Sequence, residues 1–598
     1  MVAQKAKFQL PPGIVLSRTD YEAKGRYIAC DKIRFKDGSP EKLGGWEQWN
    51  TPGDELPFTC RSMLCWQDYS YQQWHAFGTY HRLYVFDGVK VRTNITPIVS
   101  TGTLANPFTT TSGSPTVTVS FTSHGLVPTQ AIYFSGASAV GGITISGWYD
   151  IVTTPTPNSF TITHTSNASS SAGPGGGASV AYQIELAPGR QTATTGGGWG
   201  IGTWGSGTWN DVRSSAGGFV SYPRYWSLDT YGQYLYALPS EGTLYRWDAN
   251  ISARAVAVAN APSTANYMFV TSERMPFMLG TNGDQMRVQW PDQDDNTIWT
   301  AGPNNTANSR RLQTGSRLVC GARMAQRTNC IWSDTAFYLA QYTGTNVVYT
   351  TPLIAVNCGI VGPAAFAVVD GIPYWMTPTD FMMYAGGSVQ PMPNSQDVNP
   401  IFKTLDAVQA QKVQCFYHPD FREIWWHYPS EGASEPDSYV IYSLEQQCWY
   451  NGTMGRSCAG IRTLSGHNTP LMVTPSGVIY EHESTLNDDG LPLDWTLTTG
   501  YFDLSDGNVS MNIDGYFPDM KRHVGNIDIT WESKEYPADT AALHTTTEVI
   551  AEGQDIVDIR HFGRQSKFTL SQTDVLDGDF RLGDQRIEAA QSGKRRGS

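Results

Sequence analysis

The chain has 598 residues and a formal net charge of −13; only 16% of residues are charged, while aromatics reach 12% and glycine and proline number 59 and 34. An acidic surface repels phosphate backbones and anionic lipid, which argues against a sequence-specific nucleic-acid binder. No run approaches about 18 apolar residues and the opening MVAQKAKFQLPPG lacks the apolar stretch of a secretion signal, so a soluble chain made in a cytoplasm is expected.

Short runs of Val, Thr, Ile, Tyr and Trp between Gly- and Pro-rich turns predict an all-β protein. Residues 1–50, punctuated by Pro11, Pro12, Gly13, Gly25, Gly38, Gly44 and Gly45, read as an extended N-terminal arm that lies across other surfaces, with Trp46 and Trp49 seeking a partner. From residue 51 a hairpin phrase begins: an apolar run, a turn, then a second run ending in Tyr, Trp or Phe. HRLYVFDG at 81–88 is the first copy, and from QYLYALPSEGTLYRWD at 233–248 the phrase recurs roughly every 43 to 53 residues as far as PLMVTPSGVIYEHE at 470–483. One hairpin cannot bury its own apolar face, so 51–94 and 211–485 are predicted to form a β-propeller of six to eight blades.

Two segments interrupt or follow it. At 95–188 charge nearly vanishes and Thr, Ser, Gly and Val alternate at period two, which predicts an inserted small β-sandwich or barrel; 189–210 is a Gly/Trp linker carrying Trp199, Trp204 and Trp209. One helix is expected at 398–413, where Ile401, Leu405, Val408 and Val413 fall near helical spacing. After 485 the phrase stops and 486–598 reads as a C-terminal β-sandwich with a polar tail.

Chemistry is sparse. His482 and Glu483 lack the second histidine of a zinc-protease helix, since Leu486 stands in its place; no Gly-x-Ser-x-Gly elbow occurs; Gly593 and Lys594 are followed by Arg595 rather than Ser or Thr. Asp292, Asp294 and Asp295, and Asp488 with Asp489, lack calcium-loop spacing and read as turns. The nine cysteines form no Cys-x-x-Cys pair, so reduced and mostly buried thiols are expected. The reading is a non-enzyme: no catalytic residue, no cofactor-binding residue, no metal ligand and no cofactor. The alternative is a tail-associated carbohydrate-binding or depolymerase protein, with Trp425, Trp426, His427 and Tyr428 as sugar platform beside Glu431 and Glu435. Strand alternation would then leave only one of the two tryptophans facing solvent.

A resemblance runs along nearly the whole chain. Pro-Pro-Gly, then Tyr21, Gly25, Arg26 and Tyr27, then Arg34, Phe35, Asp37 and Gly38, then Gly44, Gly45 and Trp46 resemble the opening of tail proteins of short-tailed bacteriophages. His124, Gly125 and Leu126 with NSFTIT resemble a small β-domain that recurs in phage tail proteins; GGGWGIGTWGSGTWN and the ending Phe580, Arg581, Leu582, Gly583, Arg586, Gly593 and Arg596 are similarly placed. The resemblance implies the tail nozzle, also called the packaged-DNA stabilisation or tail hub protein: a virion protein assembled in the host cytoplasm as a homohexamer. It further implies a tail adaptor above, tail fibre, spike or needle proteins as neighbours, contact with a host surface receptor, and viral DNA passing through the lumen without specific binding. Such a tube would serve as conduit and closure for packaged DNA during ejection, and an acidic wall suits passage because each Lys or Arg on a phosphate adds affinity that slows it.

Overall fold

The computed structural model describes residues 4–193, 221–293, 295–345, 347–464, 467–503 and 509–594. It divides into two compact units, residues 58–312 and residues 1–57 with 313–598. The linker from 194 onward, with Trp199, Trp204 and Trp209, lies outside the described residues, as do Asp294 and Arg596.

The unit 58–312 holds three four-stranded antiparallel sheets, at 60–94, 226–257 and 267–311, each a meander of sequence neighbours. Their inner strands are buried on both faces: Leu83–Phe86 and Pro276–Leu279 have every residue buried. Sheets packed on both sides read as continuous apolar runs rather than as alternation. Trp74, Trp226 and Trp247 dominate one core, with the Trp74 and Trp247 rings edge-to-face at 5.1 Å. Between the first two sheets the chain makes an eight-stranded sheet over 98–185, in which Ile98–Leu104 and Val180–Glu185 pair, so the segment leaves and re-enters at adjacent strands. Phe108, Val119, Ile132, Phe134, Phe160 and Ile162 make a core of their own.

The other unit holds four sheets of the same meander type, at 318–356, 366–391, 414–453 and 458–482. The last is completed by the strand Trp46–Gln48, paired with Ile479–His482. The described residues thus contain seven blade-type sheets, and the chain is an all-β protein of the β-propeller class with an inserted β-domain and a C-terminal β-sandwich.

The N-terminal segment is not a free arm. Gln4–Phe8 pairs with Gln585–Lys594, Tyr27–Asp31 with Trp495–Thr499, and Ser39–Lys42 with Asp579–Leu582, so it supplies strands to all three C-terminal sheets before closing the last blade. Trp46 and Trp49 are 4% and 2% exposed and find their partners within their own chain. The polar tail is likewise a pair of strands up to Lys594. The N-terminal strands find their C-terminal partners more than 450 residues away, where no local period reveals them, whereas the tail strands pair with Val509–Phe517 and Met520–Val524 close by.

The helix expected at 398–413 breaks into one α-turn, Ile401–Thr404, flanked by 3-10 turns Ser395–Asp397 and Ala410–Lys412. Leu405 is extended, bridging to Ser430, and Asp406 Oδ1 accepts the amides of Val408 and Gln409 at 2.9 Å each. An aspartate that caps a turn in this way competes with the helix.

Candidate functional site

Most of the chemistry-bearing residues converge in the unit 1–57 with 313–598, on one face of the sheet 414–453. Cross-strand pairing sets His418 opposite Glu423, Phe416 opposite Trp425, and Gln414 opposite His427, so all six share a face. Arg34, from the strand Ile33–Lys36, enters above Glu423. Its Nε donates to Glu423 Oε1 at 2.5 Å and its Nη2 to Glu423 Oε2 at 3.0 Å and Glu483 Oε1 at 2.8 Å. Tyr450 Oη and Trp425 Nε1 donate to the same Glu423 carboxylate at 2.6 and 2.9 Å. Arg34 and Glu423 are 2% and 1% exposed, and the guanidinium lies 3.4 Å from the centre of the Phe421 ring. Burial alone would lower the Arg34 pKa, but the two carboxylates outweigh it and raise the pKa well above its ordinary value. Burial would raise Glu483, and Arg34 instead holds it below the usual carboxylate range.

A second layer lies beside this pair. Arg456 Nε donates to His482 Nε2 at 3.1 Å, and its guanidinium sits about 5 Å from the ring centres of both Trp46 and Tyr480. The Trp46 and His482 rings are 4.8 Å apart, and Trp46 Nε1 donates to Asp488. His427 has neither ring nitrogen hydrogen-bonded; burial and the nearby Arg456 pull its pKa down to about 3. Burial, Arg456 and the neighbouring histidines put His482 well below its ordinary value as well. Gly44 and Gly45 let the chain reach Trp46, because a Cβ on Gly45 would overlap the Asn487 backbone. The result is a neutral-histidine, paired-carboxylate joint that locks the N-terminal segment to two blades.

The sugar platform expected at 425–428 is not assembled. Trp425, Trp426, His427 and Tyr428 are all at most 5% exposed. Alternation fails to leave one tryptophan in solvent because neighbours cover both faces: Trp426 packs on Phe381, with ring centres 5.0 Å apart, and donates to the Ala365 carbonyl, while Trp425 faces the Arg34 network. Glu431 is exposed, whereas Glu435 Oε1 accepts from the buried Lys412 Nζ at 2.9 Å, so the two do not act together. Asp292 accepts from Thr306, Asp295 from Thr297 and Asp489 from the Gln48 amide, all turn or strand contacts. His482 and Glu483 point to different partners, Arg456 and Arg34. Gly593 and Lys594 fall in a strand, not a phosphate loop. The nine cysteines are free, and all but Cys65 and Cys415 are buried.

In the unit 58–312 a second joint ties the inserted sheet to the blades. Glu185, 1% exposed, receives Arg82 Nε at 2.9 Å, Arg254 Nη1 at 3.0 Å and Asn94 Nδ2 at 2.9 Å. His124 is a turn residue: its Nδ1 accepts the Leu126 amide at 2.9 Å over Gly125, whose φ is +61°. Sequence spacing could not reveal either joint, since Arg34 reaches its two carboxylates across 389 and 449 residues and Arg82 reaches Glu185 across 103; Arg34, Trp46, Trp425, His427, His482 and Glu483 were in view only singly.

No known protein family matches this sequence, and no curated protein does. Among solved structures the chain is similar to the phage phi92 endosialidase (10% identity, 84% of this chain and 65% of that one, TM-score 0.15). It is also similar to a chain of the mitotic checkpoint complex (12%, 44% and 81%, 0.27) and to an exo-beta-1,3-galactanase from Phanerochaete chrysosporium (8%, 60% and 95%, 0.19). This chain spans about 65% of the length of the endosialidase. What the residues themselves define is a propeller-bearing all-β protein built around buried ionic joints. Among the described residues no helix is long and apolar enough to cross a membrane.

Proposed function

We propose that this chain is a structural subunit of a short-tailed phage tail, forming a hexameric nozzle through which packaged DNA leaves the virion. The observation that carries the reading is where the resemblance residues fall. The N-terminal signature and the C-terminal signature, more than 500 residues apart, meet in one joint: Arg581 Nη2 donates to Asp37 Oδ2 at 2.9 Å, Glu41 pairs with Arg581 across neighbouring strands, and Phe580 stacks on Trp495 at 3.8 Å. Arg34, Gly44, Gly45 and Trp46 occupy the adjoining joint, and Tyr21 Oη donates to Asp503 at 2.7 Å. Residues that mark the resemblance therefore fix a scaffold's closure, as expected of a load-carrying assembly unit. The net charge of −13 supports a conduit that does not hold DNA.

Electron microscopy of the purified protein and of virions tests this. Six-fold rings that coincide with the distal tail of the particle are the expected result; a stable monomer absent from virions would overturn it. Incubation with host surface polysaccharide should release no reducing ends.

A further inference from the structure

The C-terminal sheets carry a cluster that belongs to neither joint. His544 and Thr546 stand two residues apart on the strand His544–Ile550, so their side chains share a face; His561 comes from Val557–Gly563, a strand of a different sheet. His544 lies opposite Ser533 in one sheet and His561 opposite Ile513 in the other, and residues 551–556 bring the two strands together. Three donor atoms meet there in a near-equilateral triangle: the two histidine Nδ1 atoms are 3.1 Å apart, and Thr546 Oγ1 is 3.2 Å from each. The His544 ring also packs on Phe562, with centres 4.9 Å apart, which fixes its orientation. His561 is 2% exposed and its Nε2 has no hydrogen-bond partner, whereas His544 and Thr546 are half-buried, so the cluster borders solvent.

Hydrogen bonding cannot fill all three edges of this triangle. A neutral imidazole carries one N–H and a hydroxyl one O–H, and each ring nitrogen is either donor or acceptor. At a donating corner the second partner lies about 60° off a linear bond, where the interaction is lost. Two edges can be bonded; the third, N···N or N···O according to where the protons sit, is then a bare approach. A cation satisfies all three donors at once. An ion about 2.0–2.1 Å from imidazole nitrogen sets its ligands about 3.3 Å apart in a tetrahedron and about 2.9 Å apart in an octahedron, and the observed edges fall between these.

We propose that His544 Nδ1, His561 Nδ1 and Thr546 Oγ1 form a three-donor face for a divalent transition-metal ion that favours imidazole, of the zinc, nickel or copper class, with water in the open positions. Among the described residues no three His, Cys, Asp or Glu side chains are arranged for a metal, so this face of two imidazoles and a hydroxyl stands apart from ordinary structural sites. Both Nδ1 atoms then present lone pairs and each ring carries its proton on Nε2. The ion would clamp two sheets of the C-terminal sandwich beside the 551–556 connection that joins them.

Titrating tag-free, metal-free full-length protein with Cu²⁺ tests it, by calorimetry and by electron paramagnetic resonance. One site per chain is expected, with hyperfine structure from two imidazole nitrogens. His544→Ala, at a half-buried strand end, should keep its circular dichroism spectrum, lose roughly tenfold or more in affinity and show one nitrogen fewer; Thr546→Val should lose less. Added metal should raise the melting temperature of the native chain and not of His544→Ala. Absence of uptake, or equal uptake with an unchanged spectrum in His544→Ala, would overturn the proposal and leave a hydrogen-bonded trio.

Discussion

Arg34 satisfies two carboxylates at once, and no other cation among the described residues donates to Glu423. Removing one partner of a buried ion pair leaves an uncompensated charge and costs about 3–5 kcal/mol, more than the pair itself contributes. Arg34→Met should therefore unfold in urea at clearly lower concentration than the native chain, followed by tryptophan fluorescence. Arg34→Lys keeps the charge but loses the fork that spans both carboxylates, so it should fall between the two; a midpoint equal to the native one would refute the joint. His427 gives a pH signature. It is a base held neutral, with a folded value of about 3 against an ordinary 6.5, so below pH 6.5 the unfolded chain takes up a proton that the folded chain refuses. Its contribution is complete above pH 6.5 and is lost as pH falls towards 3, by about 1.4 kcal/mol per pH unit. His427→Gln should flatten the acid limb of the stability curve between pH 6 and 4; an unchanged slope would show that other groups carry it.

At the scale of elements, removing residues 1–45 deletes strands from three C-terminal sheets and takes Arg34 from Glu423. The expected result is faster tryptic cleavage within 495–594, because Trp495–Thr499 and Gln585–Lys594 each lose a paired neighbour; native protection in the truncated chain would contradict the sheet assignments. Replacing 97–186 with a short Gly/Ser bridge should leave the sheets 60–94, 226–257 and 267–311 folded, since the inserted core is its own; solubility and circular dichroism check it. The hairpins were legible in the sequence because each strand pair is local and its apolar runs end in turn residues. The joints were not. Arg34 with Glu423 and Asp37 with Arg581 pair residues 389 and 544 positions apart, and no period connects them. Trp425 and Trp426 misled for a related reason: alternation predicts a wet face only where a sheet has one, and this strand is buried throughout. At 398–413 the apolar spacing was helical, but Asp406 capped a turn inside it.

For the whole molecule, the proposed nozzle makes a demand on charge that can be measured. Non-specific DNA affinity comes from Lys and Arg displacing counterions from phosphates, and the slope of log K against log salt counts those contacts. Of this chain's cations, Arg34, Arg82, Lys412 and Arg254 are committed to carboxylates, and Arg456 to stacking on Trp46 and Tyr480. The remaining cations are scattered over a chain whose net charge is −13, and the longest unbroken run of them is Lys594, Arg595 and Arg596, enough for about three phosphate contacts. Full-length protein should thus bind duplex DNA weakly at about 50 mM salt, with a slope no steeper than about −3, and show no measurable binding at about 200 mM. Fluorescence anisotropy with a labelled duplex reads this directly, and removing residues 594–598 should abolish most of what remains. A slope near −6 or steeper, or tight binding at about 200 mM salt, would mean a basic track along the protein surface. Such a track would hold a passing genome rather than release it, and the conduit reading would fall even if the protein formed rings.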